Sequence, residues 1–359
     1  MPAPSSTQSS PDLTPRAALY GLVRGFWISR ALWVAAKLSL ADLLVEGARD
    51  SADLATATGT HPPTLHRVLR ALCSVGVLRE EDTGRFALTP VGATLRSDRA
   101  DSLRAWTMVA LGEEHYEAWG DLLHTVRTGQ VAFEHRFGTD VWTYRTRHTE
   151  HAEVFDEAMA KHSGPFAANL VASYSFAGSA RLVDVGGGDG ALVAAILRAA
   201  PEVRAVVLDL PHVAAKAGER MRAAGLEARC EVIGGDMFRA VPRGGDAYIL
   251  SRVIHDWADE PAVRILRNCR EAMLPGSRLL VIERLLPERI ERGAAAQAAV
   301  FSDLLMMVMN GGCERTESQY RALFSAAGLR HTRTIRTRGE VSVVEAAPDV
   351  RHGLSSPQS

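Results

Sequence analysis

The segment Asp184-Val185-Gly186-Gly187-Gly188-Asp189-Gly190 constrains this chain more than any other. It follows a short apolar run, Arg181–Val185, and opens a helical one, Ala191–Ala199. Strand, glycine turn and helix in that order begin a βαβ unit, and so a parallel sheet. Glycines tolerate positive φ and let backbone come close to a ligand. The helix start beyond them offers free N–H groups to a negative group. A second apolar run, 205–210, contains Asp209, 19 residues beyond Gly190. A carboxylate there can accept hydrogen bonds from both hydroxyls of a ribose. Loop and carboxylate together point to a nucleoside-containing ligand.

The pattern after residue 180 carries the same alternation onward. Apolar runs at Arg181–Val185, 205–210, Cys230–Gly234, 247–253 and Arg278–Glu283 alternate with longer helical stretches. Two further runs, 331–336 and 340–346, are joined by a short Arg/Thr/Gly turn and read as a terminal antiparallel hairpin. The expectation is an α/β, Rossmann-like sheet of seven strands. Its glycine spacing is G-x-G-x-G, not the G-x-G-x-x-G of dinucleotide sites, and Asp184 precedes it. A diphosphate is repelled by that carboxylate, whereas an amino-acid ammonium is attracted. The loop therefore favours S-adenosylmethionine over NAD. After the third run, Asp236 can accept from an adenine amino group, and Met237 or Phe238 can cover the ring.

The first hundred residues read differently. Residues 1–15, rich in Ser, Pro and Thr, are expected to be a disordered tail, and 348–359 a second one. Between 16 and 100, Leu19, Leu22, Val23, Phe26, Leu32, Trp33 and Ala36 form one long apolar stripe. A helix over Ser51–Thr58 should stop at Gly59, and another should start at Pro62-Pro63. Two short runs around Asp82-Thr83-Gly84 complete helix, helix and hairpin, a winged helix-turn-helix. Residues 101–170 are again helical, and the sheet occupies 171–347.

Composition narrows the function classes. The 41 basic and 42 acidic residues nearly cancel, which argues against a dominant nucleic-acid role. Within the winged helix, Arg67, Arg70, Arg79 and Arg85 are balanced by Asp53, Glu80, Glu81 and Asp82. No run of 18 apolar residues suggests a membrane span. Cys73, Cys230, Cys269 and Cys313 are far apart, which fits neither a zinc site nor a disulfide scaffold but a cytoplasmic protein. All but three of the basic residues are arginine, so no single arginine stands out.

Five motifs in order carry a resemblance over about residues 16–347. They are DVGGGDG at 184–190, VLDLPHV at 207–213, GDMF at 235–238, LSRVIHDW at 250–257 and CERTE at 313–317. The chain resembles the S-adenosylmethionine-dependent O-methyltransferases of the plant caffeate type, in the bacterial branch that acts on aromatic polyketides and antibiotic precursors. The resemblance implies a homodimer formed through the winged-helix domain and a small aromatic acceptor, with S-adenosylhomocysteine as product. It also implies a cofactor site of Asp184, Gly186, Gly188, Asp209, Leu210, Asp236, Met237, Phe238, Ser251 and Arg252. His255 would be the general base, with Glu283 and Glu314 as the acidic partners that orient it. Asp256 and Trp257 are expected to be structural, and Asp259 to cap the helix that follows.

Chemistry supports that assignment. A phenol ionises at about 10, so one positioned imidazole suffices as base and no metal is required. Trp106, Phe155, Met159, His162, Met306, Met309 and Asn310 are candidates to line the acceptor pocket. An alternative keeps the fold without methyl transfer: a hydroxylase or decarboxylase of a polyketide. Retention of His255, Glu283 and Glu314 favours the methyltransferase.

Overall fold

The structure, a computed structural model, describes residues 14–349 and divides into two compact units, 1–113 and 114–359. In the first unit, α1 (Pro15–Lys37) starts on Thr14, whose hydroxyl accepts from the Ala17 N–H. Thr14 and Pro15 therefore start a helix, although the tail was expected to include them, and Pro348, expected to open the second tail, ends the last strand; residues 1–13 and 350–359 lie outside the described residues. A short α2 (Leu40–Leu43) leads to α3 (Ser51–Thr58), capped by Asp50 and stopped by Gly59 in the left-handed region. Next, α4 (Pro62–Ser74) buries Leu65, Leu69 and Leu72 along one face. The wing is β1 (Leu78–Glu80) paired antiparallel with β2 (Phe86–Leu88), and Arg49 bridges to Phe86 at its edge. The core of this unit is Leu40, Leu54, Leu69, Leu72 and Phe86. Beyond the wing, α5 (Arg104–Ala110) is tied to α1 by Arg104, which donates to the Ala36 carbonyl at 3.1 Å.

The second unit opens with helices. They are α6 (Glu113–Gly120), α7 (Leu122–Thr128), α8 (Ala132–Phe137), α9 (Val141–Arg147) and the long α10 (Thr149–Ser173). The alternating part follows: β3 (Arg181–Val185), α11 (Ala191–Ala199), β4 (Arg204–Asp209), α12 (Pro211–Ala223), β5 (Cys230–Gly234), β6 (Ala247–Ser251), α13 (Asp259–Ala272) and β7 (Arg278–Glu283). The chain closes with β8 (Leu285–Leu286), α14 (Ala294–Met309), β9 (Arg315–Thr316), α15 (Glu317–Ala326), β10 (Leu329–Arg336) and β11 (Ser342–Pro348).

Seven strands form one sheet in the order β10-β11-β7-β6-β3-β4-β5. The five from β3 to β7 are parallel, and β11 joins β7 antiparallel before pairing with β10. This is the α/β, Rossmann-like sheet expected, with the winged helix ahead of it. Alternate residues of each strand enter opposite cores. Val183, Leu250 and Val281 pack with Leu266 and Phe324; Leu182, Ile249 and Leu280 pack with Leu170 and Leu197. Among the described residues no helix is long and apolar enough to cross a membrane.

Two expectations are corrected here. The fourth run was read through Val253, but β6 ends at Ser251. Arg252 turns the chain at φ +55°, and a tight turn, Ile254–Asp256, follows. Asp259 does not cap α13: Ala258 holds that position without a side-chain bond, and the Asp259 carboxylate instead receives Arg315.

Candidate active site

The carboxyl ends of β3, β4, β5, β6 and β7 bring the expected residues to one edge of the sheet. At β3 the glycine turn folds back on β4, with the Gly186 and Gly187 N–H groups both donating to the Leu208 carbonyl. Gly186 and Gly188 hold φ of +72° and +59°, where a side chain is disfavoured. At Gly187 a Cβ would stand 2.7 Å from a carboxylate oxygen of Asp184. Asp209 receives the Gly188 N–H on one oxygen and the Leu210 N–H on the other, at 2.8 and 2.7 Å. Each oxygen keeps a lone pair for a further donor.

Asp184 is 1% exposed, and its Oδ1 has no hydrogen-bond partner. Burial first, and then the charge of Asp209, push its carboxyl up to about 7. A buried carboxylate with a spare oxygen suits a cationic ligand group.

After β5, Asp236 accepts the Phe238 N–H at 2.8 Å, which closes the loop on itself. Met237 and Phe238 are half-buried, and Phe238 meets Trp257 edge-on at 4.7 Å. Leu210 is exposed. Ser251 and Arg252 follow β6, and the Arg252 guanidinium lies 4.7 Å from the Phe166 ring centre.

The turn after Arg252 carries His255. Glu283, fully buried at the end of β7, uses one oxygen to accept the N–H groups of Val253, Ile254 and His255 at 3.0, 2.9 and 3.4 Å. Its other oxygen lies 3.6 Å from His255 Nδ1. Glu314 is closer: its Oε1 is 3.1 Å from Nδ1 and also accepts the Ser302 hydroxyl at 2.7 Å. Its own N–H donates to Asp303. Asp256 Oδ1 lies 3.7 Å from Nε2 and accepts the Asn310 amide at 2.8 Å.

Burial alone would push the imidazole down. Glu283, Asp256 and Glu314 outweigh it and hold His255 up to about 10. Burial raises Glu283 in turn, against the pull of the imidazole charge. Donor atoms of His255, Glu283 and Glu314 lie within 4.8 Å of one another, which would also admit a small cation; this is the one such grouping among the described residues.

The pocket candidates are more scattered. Trp106 belongs to the first unit. Phe155 lies under the Arg145 guanidinium, 3.7 Å from its ring centre. Met159 is half-buried on α10, and the side chain of His162 lies outside the described residues. On α14, Met306 is half-buried and Met309 buried. Both ends of the Asn310 amide are engaged, with Asp256 and with the Gly312 N–H.

Sequence reasoning overlooked Arg315 and Ser302 and set Asp256 aside as structural. Arg315 stands beside Glu314 within CERTE, and that adjacency was the one available signal. Ser302 and Asp256 become visible only once α14 is folded over the turn.

Comparison with known proteins places the chain in a family. The family model of an O-methyltransferase domain matches residues 119–330, and that of an O-methyltransferase dimerisation domain matches residues 20–98. The chain is 43% identical over 330 residues to a phenazine O-methyltransferase of Lysobacter antibioticus, covering 92% of this chain and 95% of that one. It is 40% identical to the mitomycin biosynthesis 6-O-methyltransferase of Streptomyces lavendulae, covering 94% and 97%. An aclacinomycin 10-hydroxylase of Streptomyces purpurascens is 37% identical, covering 83% and 80%. Among solved structures, LaPhzM superposes with a TM-score of 0.87 at 42% identity, covering 94% and 100%. The neocarzinostatin-biosynthesis O-methyltransferase NcsB1, solved with S-adenosylmethionine and 2-hydroxy-5-methyl naphthoic acid, gives 0.80 at 34%, covering 94% and 100%.

Proposed function

Since the chain belongs to the S-adenosylmethionine-dependent O-methyltransferases of bacterial secondary metabolism, we propose that it methylates a phenolic hydroxyl of an aromatic, polyketide-derived natural product, with His255 as general base. Its dimerisation domain supports a homodimer.

S-adenosylmethionine, when bound, supplies a sulfonium methyl and a neutral leaving group. The residues present fit it. Gly186 and Gly188 make room for the methionine end, and the spare oxygen of Asp184 gives its ammonium a counter-charge. Asp209 offers two lone pairs to the ribose hydroxyls. Asp236, Met237 and Phe238 serve the adenine, and Leu210, Ser251 and Arg252 flank the site.

The observation that carries the reading is the Glu314 carboxylate on His255 Nδ1. An ionised carboxylate only accepts, so Nδ1 keeps its proton, and in the neutral ring it is Nε2 that presents the lone pair. The acceptor hydroxyl gives its proton to Nε2, and Glu283, Asp256 and Glu314 hold the imidazolium. An imidazole raised to about 10 is matched to a phenol, which loses its proton in the same range. The reading calls for no metal ion at His255, Glu283 and Glu314. Met306 offers an adaptable thioether to a flat ring, whereas Met309 is taken up in the core with Phe133 and Val141.

The kinship with a hydroxylase keeps one rival in view. Methyl transfer from labelled S-adenosylmethionine into a panel of hydroxylated aromatic acids and polyketides separates the two. The expected product gains one methylene, and His255→Ala loses most turnover while affinity for S-adenosylhomocysteine holds. A product that gains one oxygen atom instead, or full turnover in His255→Ala, overturns the reading.

A further inference from the structure

Four consecutive residues grip the turn that carries His255. Gly312 approaches it so closely that a Cβ there would stand 2.0 Å from the His255 carbonyl oxygen. The Cys313 N–H donates to that same oxygen at 2.9 Å. Glu314 takes Nδ1. Arg315 does the rest, and all five of its N–H groups are committed. Nε and Nη2 donate to Asp259 at 3.0 and 2.8 Å, and Nη2 also to the Trp257 carbonyl at 2.7 Å. Nη1 donates to the carbonyls of Ile254 at 3.1 Å and Cys313 at 3.3 Å.

The arrangement is an odd one for a plain ion pair. Arg315 is 1% exposed, whereas the Asp259 side chain is 77% exposed. An arginine that merely neutralised Asp259 could stay in water with it. Drawing a guanidinium out of water is costly, and a solvated partner returns little of that cost. What burial secures is a rigid planar fork whose donors fix three carbonyls at once. Ile254 and Trp257 flank His255 on either side in the chain, and Cys313 precedes Glu314. The fork therefore joins the segment of the imidazole to the segment of its carboxylate partner.

We propose that Arg315 is a positioning residue for the methyl transfer: its guanidinium locks the 254–257 turn against the 313–315 segment, holding His255 and Glu314 in register while the acceptor proton moves. The proposal rests on the reading of His255 as base.

The test is steady-state kinetics of the full chain with Arg315→Lys, Asp259→Ala and His255→Ala in parallel. Arg315→Lys keeps the charge but loses the fork. Displacing a catalytic group by about 1 Å costs on the order of 100-fold, so kcat should fall roughly 10- to 100-fold. KM for the acceptor and affinity for S-adenosylhomocysteine should stay as they were. Asp259→Ala, on an exposed side chain, removes an acceptor of the fork and should give a smaller fall in kcat with the same unchanged KM. Normal kcat in a folded Arg315→Lys overturns the proposal. So does a parallel loss of kcat, cofactor affinity and melting temperature, which marks a merely structural arginine. If Arg315→Lys fails to fold, Asp259→Ala, which takes away the acceptor of Nε and of one Nη2 bond, decides: reduced kcat at constant KM supports the clamp, and normal kcat overturns it. Full turnover in His255→Ala removes the premise instead, so the two failures are told apart.

Discussion

Glu314 meets His255 at Nδ1, 3.1 Å away, and leaves Nε2 with Asp256 Oδ1 at 3.7 Å as its nearest charged neighbour. The first distance is a hydrogen bond and the second is not. The imidazole is thus fixed in one tautomer by a carboxylate behind it. Its free nitrogen faces a second carboxylate that can attract the imidazolium without consuming the lone pair.

That geometry sets the pH dependence. With His255 as the proposed base, the active form is neutral imidazole, and the surrounding carboxylates raise its pKa to about 10. Activity carried by this group is lost as pH falls through the raised value. The rising limb of kcat/KM should therefore lie well above the 6.5 of an ordinary histidine. Glu314→Gln removes one negative charge and should move the limb to lower pH. It should also cost on the order of 10- to 100-fold in kcat, a share of the 10²–10⁴ that a positioned base contributes. A limb near 6.5 in the parent enzyme, measured with an acceptor of known hydroxyl pKa, counts against the carboxylate cluster.

Glu283 works through the backbone as much as through the ring. Its one oxygen receives three N–H groups of the turn. Glu283→Gln keeps an acceptor oxygen there and should fold. Glu283→Ala strands buried donors, at about 1–3 kcal/mol for each group left unmade. Thermal unfolding should show the alanine variant melting well below the glutamine variant. Equal melting temperatures would mean that the turn does not depend on this carboxylate.

What the sequence could reveal follows from how local each signal is. The bounds of β3, β5 and β7, and of α3 and α11, are those expected from apolar runs and glycine stops. The glycine loop announced itself because its seven residues are contiguous. His255 and Glu314 are 59 residues apart, and only the resemblance joined them before the fold did. Arg315 was invisible for a compositional reason: in a chain whose basic residues are nearly all arginine, one more carries no information. The end of β6 was misjudged because Val253 has the apolar character of a strand residue. What ends the strand is the positive φ of Arg252 together with a carboxylate from β7, and neither is local in sequence.

As the proposed counter-charge of the cofactor ammonium, Asp184 would link cofactor binding to protons. In the free enzyme its carboxyl is raised to about 7, burial being the larger cause and Asp209 the lesser. A ligand ammonium favours the ionised form, so binding must expel the proton wherever Asp184 still carries it. Affinity for S-adenosylhomocysteine should level off above about pH 7 and weaken as pH falls below it, approaching about tenfold per unit. Asp184→Asn should bind more weakly and lose that slope. Isothermal titration in two buffers of different ionisation enthalpy would count the protons released. A parent enzyme that releases none between pH 6 and 7 would separate Asp184 from the ammonium.

The exposed face of α1 completes the set. Leu19, Leu22, Val23, Phe26 and Trp27 recur at the spacing of a single helical stripe, and all five are exposed, Leu22 to 74%. A contiguous apolar patch of this kind on a folded unit marks an interface, and from Leu22 onward the stripe falls within the match to the dimerisation domain. Fully burying an aliphatic or aromatic side chain is worth about 1.5–3 kcal/mol. Replacing Leu22 and Phe26 by glutamate removes two such contributions and adds charges that would have to be desolvated. Dimer affinity should fall by on the order of 100-fold or more, since each 1.4 kcal/mol is tenfold. Sedimentation velocity at micromolar concentration should then show monomer for Leu22→Glu/Phe26→Glu and dimer for the parent, with circular dichroism unchanged. A double variant that sediments as a dimer would put the contact on another surface of the chain and leave the α1 stripe to a different partner.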